Sequence, residues 1–93
     1  MNGQYRAEPE TALIVRPLDD IVLFYHRSSG QTHMAVSPAP EILQALRTGG
    51  DGDAAAVHDR LARTHDLGPR DEAIAAIAAH LADMAAIGLV RAL

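Results

Sequence analysis

The sequence predicts an α+β domain in which a three-stranded antiparallel sheet is followed by three helices. Two β-branched and aromatic runs flank Asp19-Asp20, and a third run follows the turn sequence RSSG. Beyond Ser37, apolar residues recur every three or four positions, which is the period of an amphipathic helix. With 93 residues, 48% of them hydrophobic, the chain suffices for one domain with one modest core. We expect residues 1–10 to form an N-terminal arm, extended or loose unless Tyr5 docks, and residues 11–93 to form the domain.

The strands are expected at about residues 12–17, 21–27 and 31–36. The pair Asp19-Asp20 favours a tight turn between the first two, because Asp side chains bond to nearby backbone groups. Pro17 has no amide donor, so the first strand suits the margin of the sheet.

The turn RSSG sets the expected register of the second hairpin. Gly30 can adopt the left-handed conformation, which predicts that Arg27 pairs with Gln31 and that Phe24 lies opposite Met34. Because side chains alternate along a strand, both faces of the hairpin are then apolar. One face carries Val22, Phe24, Met34 and Val36, and the other carries Ile21, Leu23, Tyr25, His33 and Ala35. The second face is left open to be covered by the N-terminal arm or by a second copy of the chain in a homodimer.

The first two helices have recognisable ends. The first is expected to begin with Ser37 as N-cap and Pro38 at the first helical position. Gly49-Gly50 should stop it. Asp53 is the expected N-cap of the second helix, which should end near Thr64.

The third helix is expected from Pro69 to about Ile87, ended by Gly88. Its core stripe follows the helical period and consists of Ile74, Ile77, Leu81 and Met84. The last residues, LVRAL, should pack back or add a small strand. A Gly-Pro turn joins the second and third helices into a pair like a helix-turn-helix, so the predicted fold is winged helix-turn-helix-like.

The composition excludes several classes of function. The formal net charge is −4 and all positive charge comes from scattered arginines, so neither nucleic acid nor an anionic membrane is an expected partner. Without cysteine, the chain has no disulfide framework, no thiolate nucleophile and no Cys-based zinc site. No apolar run is long enough to span a bilayer, and we expect a cytoplasmic protein.

Several further features of the sequence bear on catalysis and on metal binding. The segment GGDGD lacks the lysine of a phosphate-binding loop, Asp19-Asp20 is explained by a turn, and Ser28-Ser29 has no nearby base, so we expect no enzyme. His58 and His65 are seven residues apart on the second helix, a rise of about 10.5 Å that is too long for one shared ion. His26 and His33 fall on opposite faces in the register above. We therefore expect neither a metal site nor another cofactor.

The segments LFYHRSSGQTHMAVSPAPEILQAL and HLADMAAIGLV, with a helix between them, resemble the small PqqD-like peptide chaperones. These winged-helix modules, also called RiPP recognition elements, take their name from coenzyme PQQ synthesis. The resemblance covers roughly residues 5–91 and is strongest for the subgroup of the HPr-rel-A system. It implies a non-enzymatic protein that holds the leader of a ribosomally made precursor peptide. It also implies a second partner, the peptide-modifying enzyme of the same gene cluster.

In that family the leader adds as a strand to the edge of the third strand and lies against the third helix. An unpaired apolar edge is then explained, because the peptide supplies both hydrogen bonds and cover. The third strand indeed lacks the charge, proline or bulge that usually protects an edge. Carried onto this chain, the peptide-binding residues are Gln31, Thr32, His33, Met34, Ala35, Val36, Ala73, Ile77, His80 and Met84. The hairpin FYHRSSGQTH and the long connection at 49–53 depart from the quinone-pathway chaperone, so that pathway's precursor is not implied.

Two alternatives remain open at this stage. A winged-helix DNA-binding regulator would share the order of elements, but its recognition helix needs donors for phosphates and base edges. The third helix instead carries Asp71, Glu72 and Asp83, and Arg60 and Arg63 on the second helix are a thin basic patch. A generic oligomerisation or accessory module without a peptide ligand is the other alternative.

Overall fold

The computed structural model describes residues 3–9 and 11–93. Within them lie five strands and three helices. In chain order these are β1 (Tyr5–Ala7), β2 (Leu13–Leu18), β3 (Ile21–His26), β4 (Gln31–Ala35), α1 (Ala39–Gly49), α2 (Ala54–Leu61), α3 (Arg70–Ala86) and β5 (Val90–Ala92).

The predicted α+β class is confirmed. The strands β2, β3 and β4 form an antiparallel sheet in that order, and the three helices follow it in the chain. Asp19-Asp20 makes the expected two-residue connection, since Leu18 pairs with Ile21. Asp19 adopts a positive φ of 51°, a conformation that Asp tolerates better than most residues because its short side chain can bond locally.

A second, two-stranded sheet joins the two ends of the described chain. β1 pairs antiparallel with β5, and Tyr5 lies opposite Ala92. Tyr5 also exchanges backbone hydrogen bonds of 2.8 and 3.1 Å with Gly52, in the connection between α1 and α2. Part of the N-terminal arm is therefore a strand, and the segment LVRAL adds the small strand that pairs with it.

The register of the second hairpin differs by one residue from the expectation. His26, not Arg27, pairs with Gln31, so the loop takes four residues, 27–30. The amide of Arg27 is engaged elsewhere, because it donates to the carbonyl of Ala12 at 2.9 Å. Gly30 has the predicted positive φ of 72°, and its amide donates to the carbonyl of His26 at 2.8 Å.

This shift places each side chain of β4 on the face of the sheet opposite to the expected one. Phe24 lies opposite His33 rather than Met34, so His33 and Ala35 share the core side of the sheet with Phe24. Met34 and Val36, which were expected beside Phe24, lie on the opposite side. The face opposite Phe24 is apolar, with Met34 beside Tyr25, whereas the face of Phe24 receives Gln31 and His33 in place of the expected Met34 and Val36.

The helix ends follow the sequence in part. Ser37 is not the cap of α1, since Pro38 occupies the cap position and no side chain caps the helix. Asp53 caps α2 as predicted, with its Oδ1 accepting from the amide of Ala56 at 2.9 Å. α2 ends at Leu61, before the expected Thr64, because residues 62–64 form turns.

The core lies between the helices and one face of the large sheet. Leu13 and Phe24 are its sheet residues, and the predicted stripe of α3 supplies buried Ile77, Leu81 and Met84 with Ile74 packed at their side. Its other buried side chains include Ile42, Leu43, Leu46, Val57, Leu61, Leu89 and Val90. Among the described helices, none is long and apolar enough to cross a membrane.

Candidate functional site

One edge of the large sheet is open. β4 pairs with β3 on one side, and no other described strand pairs with it. The opposite margin, β2, is also an edge. The two edges differ in which backbone groups they present, and the hydrogen bonds of the ladder determine which groups those are.

The bond from Arg27 to the carbonyl of Ala12 shows that the backbone of Arg27 faces β2. Backbone groups alternate in direction along an antiparallel strand, so those of Val22, Phe24 and His26 face β4. Their partners on β4 must face β3 in return. These partners are Ala35, His33 and Gln31, respectively.

The remaining residues of β4, Thr32 and Met34, therefore direct their amides and carbonyls away from the sheet. They form the open edge, with two donors and two acceptors. The same alternation turns Pro17 of β2, the partner of Val22, toward the other margin. Because proline has no amide to donate, the β2 edge is blocked where the β4 edge is not.

Two close approaches relate α3 to the β3–β4 hairpin and to the segment that follows it. Pro38, three residues after the end of β4, lines a cleft of about 180 Å³ with the first turns of α3. At the other end of α3, Gly88 approaches His26, which pairs with the first residue of β4; a Cβ on Gly88 would lie 3.0 Å from His26 Nε2. The cleft is almost wholly apolar and is lined by Pro38, Leu61, Leu67, Ala73, Ala76 and Ile77.

The predicted helix residues divide into two groups. Ala73 and Ile77 line this cleft, although Ile77 is otherwise buried in the core. His80 is half-buried one turn beyond Ile77, whereas Met84 is a buried core residue. The cleft also includes Leu67, which the sequence analysis did not select because it lies outside the helical stripe, just before the Gly-Pro turn.

The predicted strand residues also divide. Gln31 and Thr32 are exposed, Met34 is 72% exposed, and Val36 is 56% exposed. His33 and Ala35 point to the core side and are half-buried, and the Nε2 atom of His33 is buried without a hydrogen-bond partner in the part of the chain that is described. By alternation Gln31 shares the face of His33 and Ala35, whereas Thr32, Met34 and Val36 lie on the opposite face of the sheet.

The histidines do not assemble into a centre. The observed register places His26 and His33 on the same face, contrary to the expectation, and His26 Nδ1 is bonded by Ser28 and Ser29 at 3.0 and 3.1 Å. His65 lies beyond the end of α2, while His58 is buried against α3. Over residues 3–9 and 11–93, no group of three His, Cys, Asp or Glu side chains is arranged to hold a metal ion.

Of the two arginines of the predicted basic patch, Arg63 lies in the exposed turn after α2, and Arg60 is engaged within the fold. Arg60 donates to the carbonyls of Gly50, Ala45 and Asp51 at 2.6, 3.2 and 3.3 Å. Arg70, at the start of α3, donates to Asp59 Oδ1 at 2.6 Å. This bond, with a weaker one from His58, holds the pKa of Asp59 below its ordinary value.

These features define an α+β module with an open strand edge at β4 and an apolar cleft between Pro38 and the first turns of α3. Comparison of the chain with known protein families, with curated proteins and with solved structures finds no match.

Proposed function

We propose that this protein is a non-enzymatic peptide chaperone, as its resemblance to PqqD-like proteins implies. It binds the leader of a ribosomally made precursor peptide by β-strand addition and presents it to a modifying enzyme in the cytoplasm. The observation that carries the proposal is the open edge of β4, where Thr32 and Met34 present backbone groups that no described strand pairs.

The edge supplies affinity and the cleft supplies selectivity. A peptide paired with Thr32 and Met34 completes a fourth strand, and its side chains alternate between the two faces of the sheet. One set reaches the apolar cleft at Ala73 and Ile77, and the other set covers the exposed side chain of Met34. Ordering a flexible peptide offsets several kcal/mol of the contact energy, so we expect a dissociation constant between about 1 μM and 1 nM.

The contrast between the two edges supports β4 as the binding strand. Soluble proteins protect exposed edges with charges, prolines or bulges. β2 carries Arg16 and Pro17, whereas the β4 sequence QTHMA has no such protection. An incoming strand therefore finds complete hydrogen-bonding capacity at only one of these two edges.

The distribution of charge favours a peptide over duplex DNA. The exposed part of α3 carries Asp71, Glu72 and Asp83, which repel phosphates. Arg70, the cation of that helix, already pairs with Asp59. A DNA-binding regulator would need free donors on this surface, and a generic accessory module would not need the open edge.

The test is a titration of isotopically labelled protein with the short precursor peptide encoded beside its gene. Resonance shifts should concentrate at residues 31–36 and on the cleft side of α3. No response at several hundred micromolar peptide, or shifts spread over α1 and α2, would contradict the proposal. Binding of the protein to duplex DNA at physiological salt would instead favour the DNA-binding regulator.

Two proline variants separate binding from folding. Met34→Pro removes an amide of the open edge and should abolish peptide binding while largely preserving the fold, because edge strands tolerate proline. Ala35→Pro is the matched control, since its amide faces β3 and its loss removes a ladder bond. Ala35→Pro should therefore unfold the hairpin. Equal effects of the two variants on stability would show that the edge assignment is wrong.

A further inference from the structure

The apolar cleft between Pro38 and α3 has the size of one side chain. Its volume is about 180 Å³, which is below the roughly 300 Å³ at which small-molecule sites begin. An apolar cavity of about 150 Å³ is sufficient for a molecule of the size of benzene. The cleft therefore suits a single side chain of the size of leucine, isoleucine or phenylalanine, which we call the anchor.

The cleft begins close to the end of the open edge. Pro38 forms one wall of the cleft and follows Ala35, the last residue of β4, by three residues. Four residues of extended chain, the separation of Met34 and Pro38, span at most about 14 Å. A peptide strand that pairs with Met34 and continues toward Pro38 therefore reaches the cleft within about five residues.

Two carboxylates of α3 flank the cleft. Ala76 lines it, Glu72 precedes Ala76 by four residues, and Asp83 follows it by seven. Because these spacings are close to whole helical turns, the three residues lie on one stripe of the helix, with Glu72 about 6 Å from Ala76 along the axis. Glu72 and Asp83 are exposed and form no ion pair with any described residue.

The segment between β4 and α1 carries a second acidic surface. Residues 36–40 contribute to a cleft of about 500 Å³, whose charged lining residues are Asp19, Asp20 and Glu41. Like the two carboxylates on α3, these three have no ion-pair partner within the described chain. No described arginine lines either cleft, and the sequence contains no lysine. Uncompensated negative charge therefore lies on both sides of Pro38.

We propose that the leader is a cationic peptide, in which lysine or arginine side chains flank the anchor. The anchor enters the apolar cleft, and the basic side chains face the carboxylates around it. This inference rests on the proposed function and names the class of peptide that the site selects. Exposed ion pairs contribute little affinity each, so the anchor supplies the affinity. The charges reject acidic peptides, because like charges brought together at an interface are costly.

Two neighbouring alanines of α3 test the position of the anchor. Ala75 and Ala76 are both exposed, but only Ala76 lines the cleft. With the precursor peptide encoded beside the gene as the probe, Ala76→Leu should raise the dissociation constant at least about tenfold, because the added side chain fills the space of the anchor. Ala75→Leu should change it by less than about twofold. Leucine is nearly as good a helix former as alanine, so both variants should fold.

Two neighbouring carboxylates test the charge. Glu72 lies about 40° around the helix from Ala76, whereas Asp71 lies about 140° away, and both are exposed. Glu72→Gln should weaken peptide binding by about two- to fivefold. Asp71→Asn, which changes the net charge equally, should weaken it by less than about 1.5-fold. Raising the salt concentration from about 50 to 500 mM should weaken binding more for the unmodified protein than for Glu72→Gln, because salt screens exposed charges.

The peptide supplies the reciprocal test. Replacing its lysines and arginines by glutamine should weaken binding by at least about fivefold. A peptide without basic residues that still binds, or equal effects within either pair of protein variants, would overturn this inference. In those cases Met34→Pro would still abolish binding, so strand addition would stand. A precursor peptide that does not bind the unmodified protein at several hundred micromolar would overturn both proposals.

Discussion

Arg60 shows how a side chain that looks functional in the sequence can be structural. Its guanidinium closes the end of α1 by binding three carbonyls there, and it lies directly over Gly49. A Cβ on Gly49 would come within 2.6 Å of Arg60 Nε. Helix C-termini leave carbonyls unsatisfied, and no local pattern indicates that a residue of the next helix would bind the carbonyls at the end of α1.

This arrangement reverses the usual effect of replacing a helical glycine by alanine. Gly49→Ala should normally stabilise a helix by about 0.5–1 kcal/mol. Here it should instead destabilise the protein by about 1–2 kcal/mol, because it displaces Arg60 from its carbonyls. Chemical denaturation measures the change. In an Arg60→Ala background the same substitution should be neutral or stabilising, and a loss of equal size there would rule out this contact as the cause.

Asp59 links stability to acid pH. Hydrogen bonds from Arg70, and less strongly from His58, lower the pKa of this carboxyl from its ordinary value of 3.8. A depressed pKa contributes stability that is complete above the ordinary value and is lost as pH falls through the folded-state pKa. Asp59→Asn should therefore flatten the decline of unfolding free energy below about pH 4. Asp83→Asn, on an exposed turn of α3, is the control and should keep the slope of the unmodified protein.

At the scale of elements, periodicity and capping chemistry predicted three strands, three helices and the core stripe of α3. The register of the β3–β4 hairpin was wrong, because a three- and a four-residue loop both accommodate Gly30 and only the bond from Arg27 to Ala12 distinguishes them. Ala12 lies just before β2, outside the β3–β4 hairpin, so the sequence of the turn does not reveal this bond. The strand β1 was also missed, since three residues are too few to show a period and its partner lies at the other end of the chain.

For the candidate site, the elements were predictable, but the groups that they expose were not. The resemblance pointed to β4 and α3, but the one-residue shift decides which amides are free and which side chains face the core. Met84 was expected both in the core stripe and among the peptide-binding residues, and helical periodicity alone cannot separate the margin of a stripe from its buried centre. Leu67 and Pro38 reach the cleft through turns, where no pattern exists to find them.

The two predicted N-caps offer a direct comparison between elements. Asp53→Ala should cost about 1 kcal/mol, the typical loss for a capping side chain, because Asp53 accepts the amide of Ala56. Ser37→Ala should change stability by less than about 0.5 kcal/mol, since Ser37 is exposed and makes no cap. Thermal denaturation of both variants measures this difference. A larger effect at Ser37 than at Asp53 would contradict the observed start of α1.

At the scale of the whole molecule, the small sheet of β1 and β5 holds the described chain ends against the helices. Tyr5 and Ala7 pack beside the core, and Leu89 and Val90 are buried under them. Arg6 adds a two-pronged ion pair with Asp51, whose closest contact is 2.8 Å. Residues 5–7, which were expected to belong to an N-terminal arm, are therefore part of the packed fold.

Removal of this segment is the corresponding test. Deleting residues 1–8 should lower the unfolding free energy by about 2–4 kcal/mol, because it exposes apolar side chains equivalent to one or two buried residues. Deleting residues 1–3 is the control, because it leaves all five described strands intact. Guanidinium unfolding followed by circular dichroism compares them, and equal stability of the two truncated proteins would show that β1 contributes nothing to the fold.

The pairing of Tyr5 with Ala92 has a mechanical consequence. In this antiparallel ribbon, tension applied outward from the two chain ends loads the hydrogen bonds one after another, starting at the Tyr5 end, and does not shear them all together. β1 and β5 should therefore separate by unzipping at low force, while the helices and the larger sheet stay folded. A single-molecule pulling trace should then show a small early extension that precedes the main rupture.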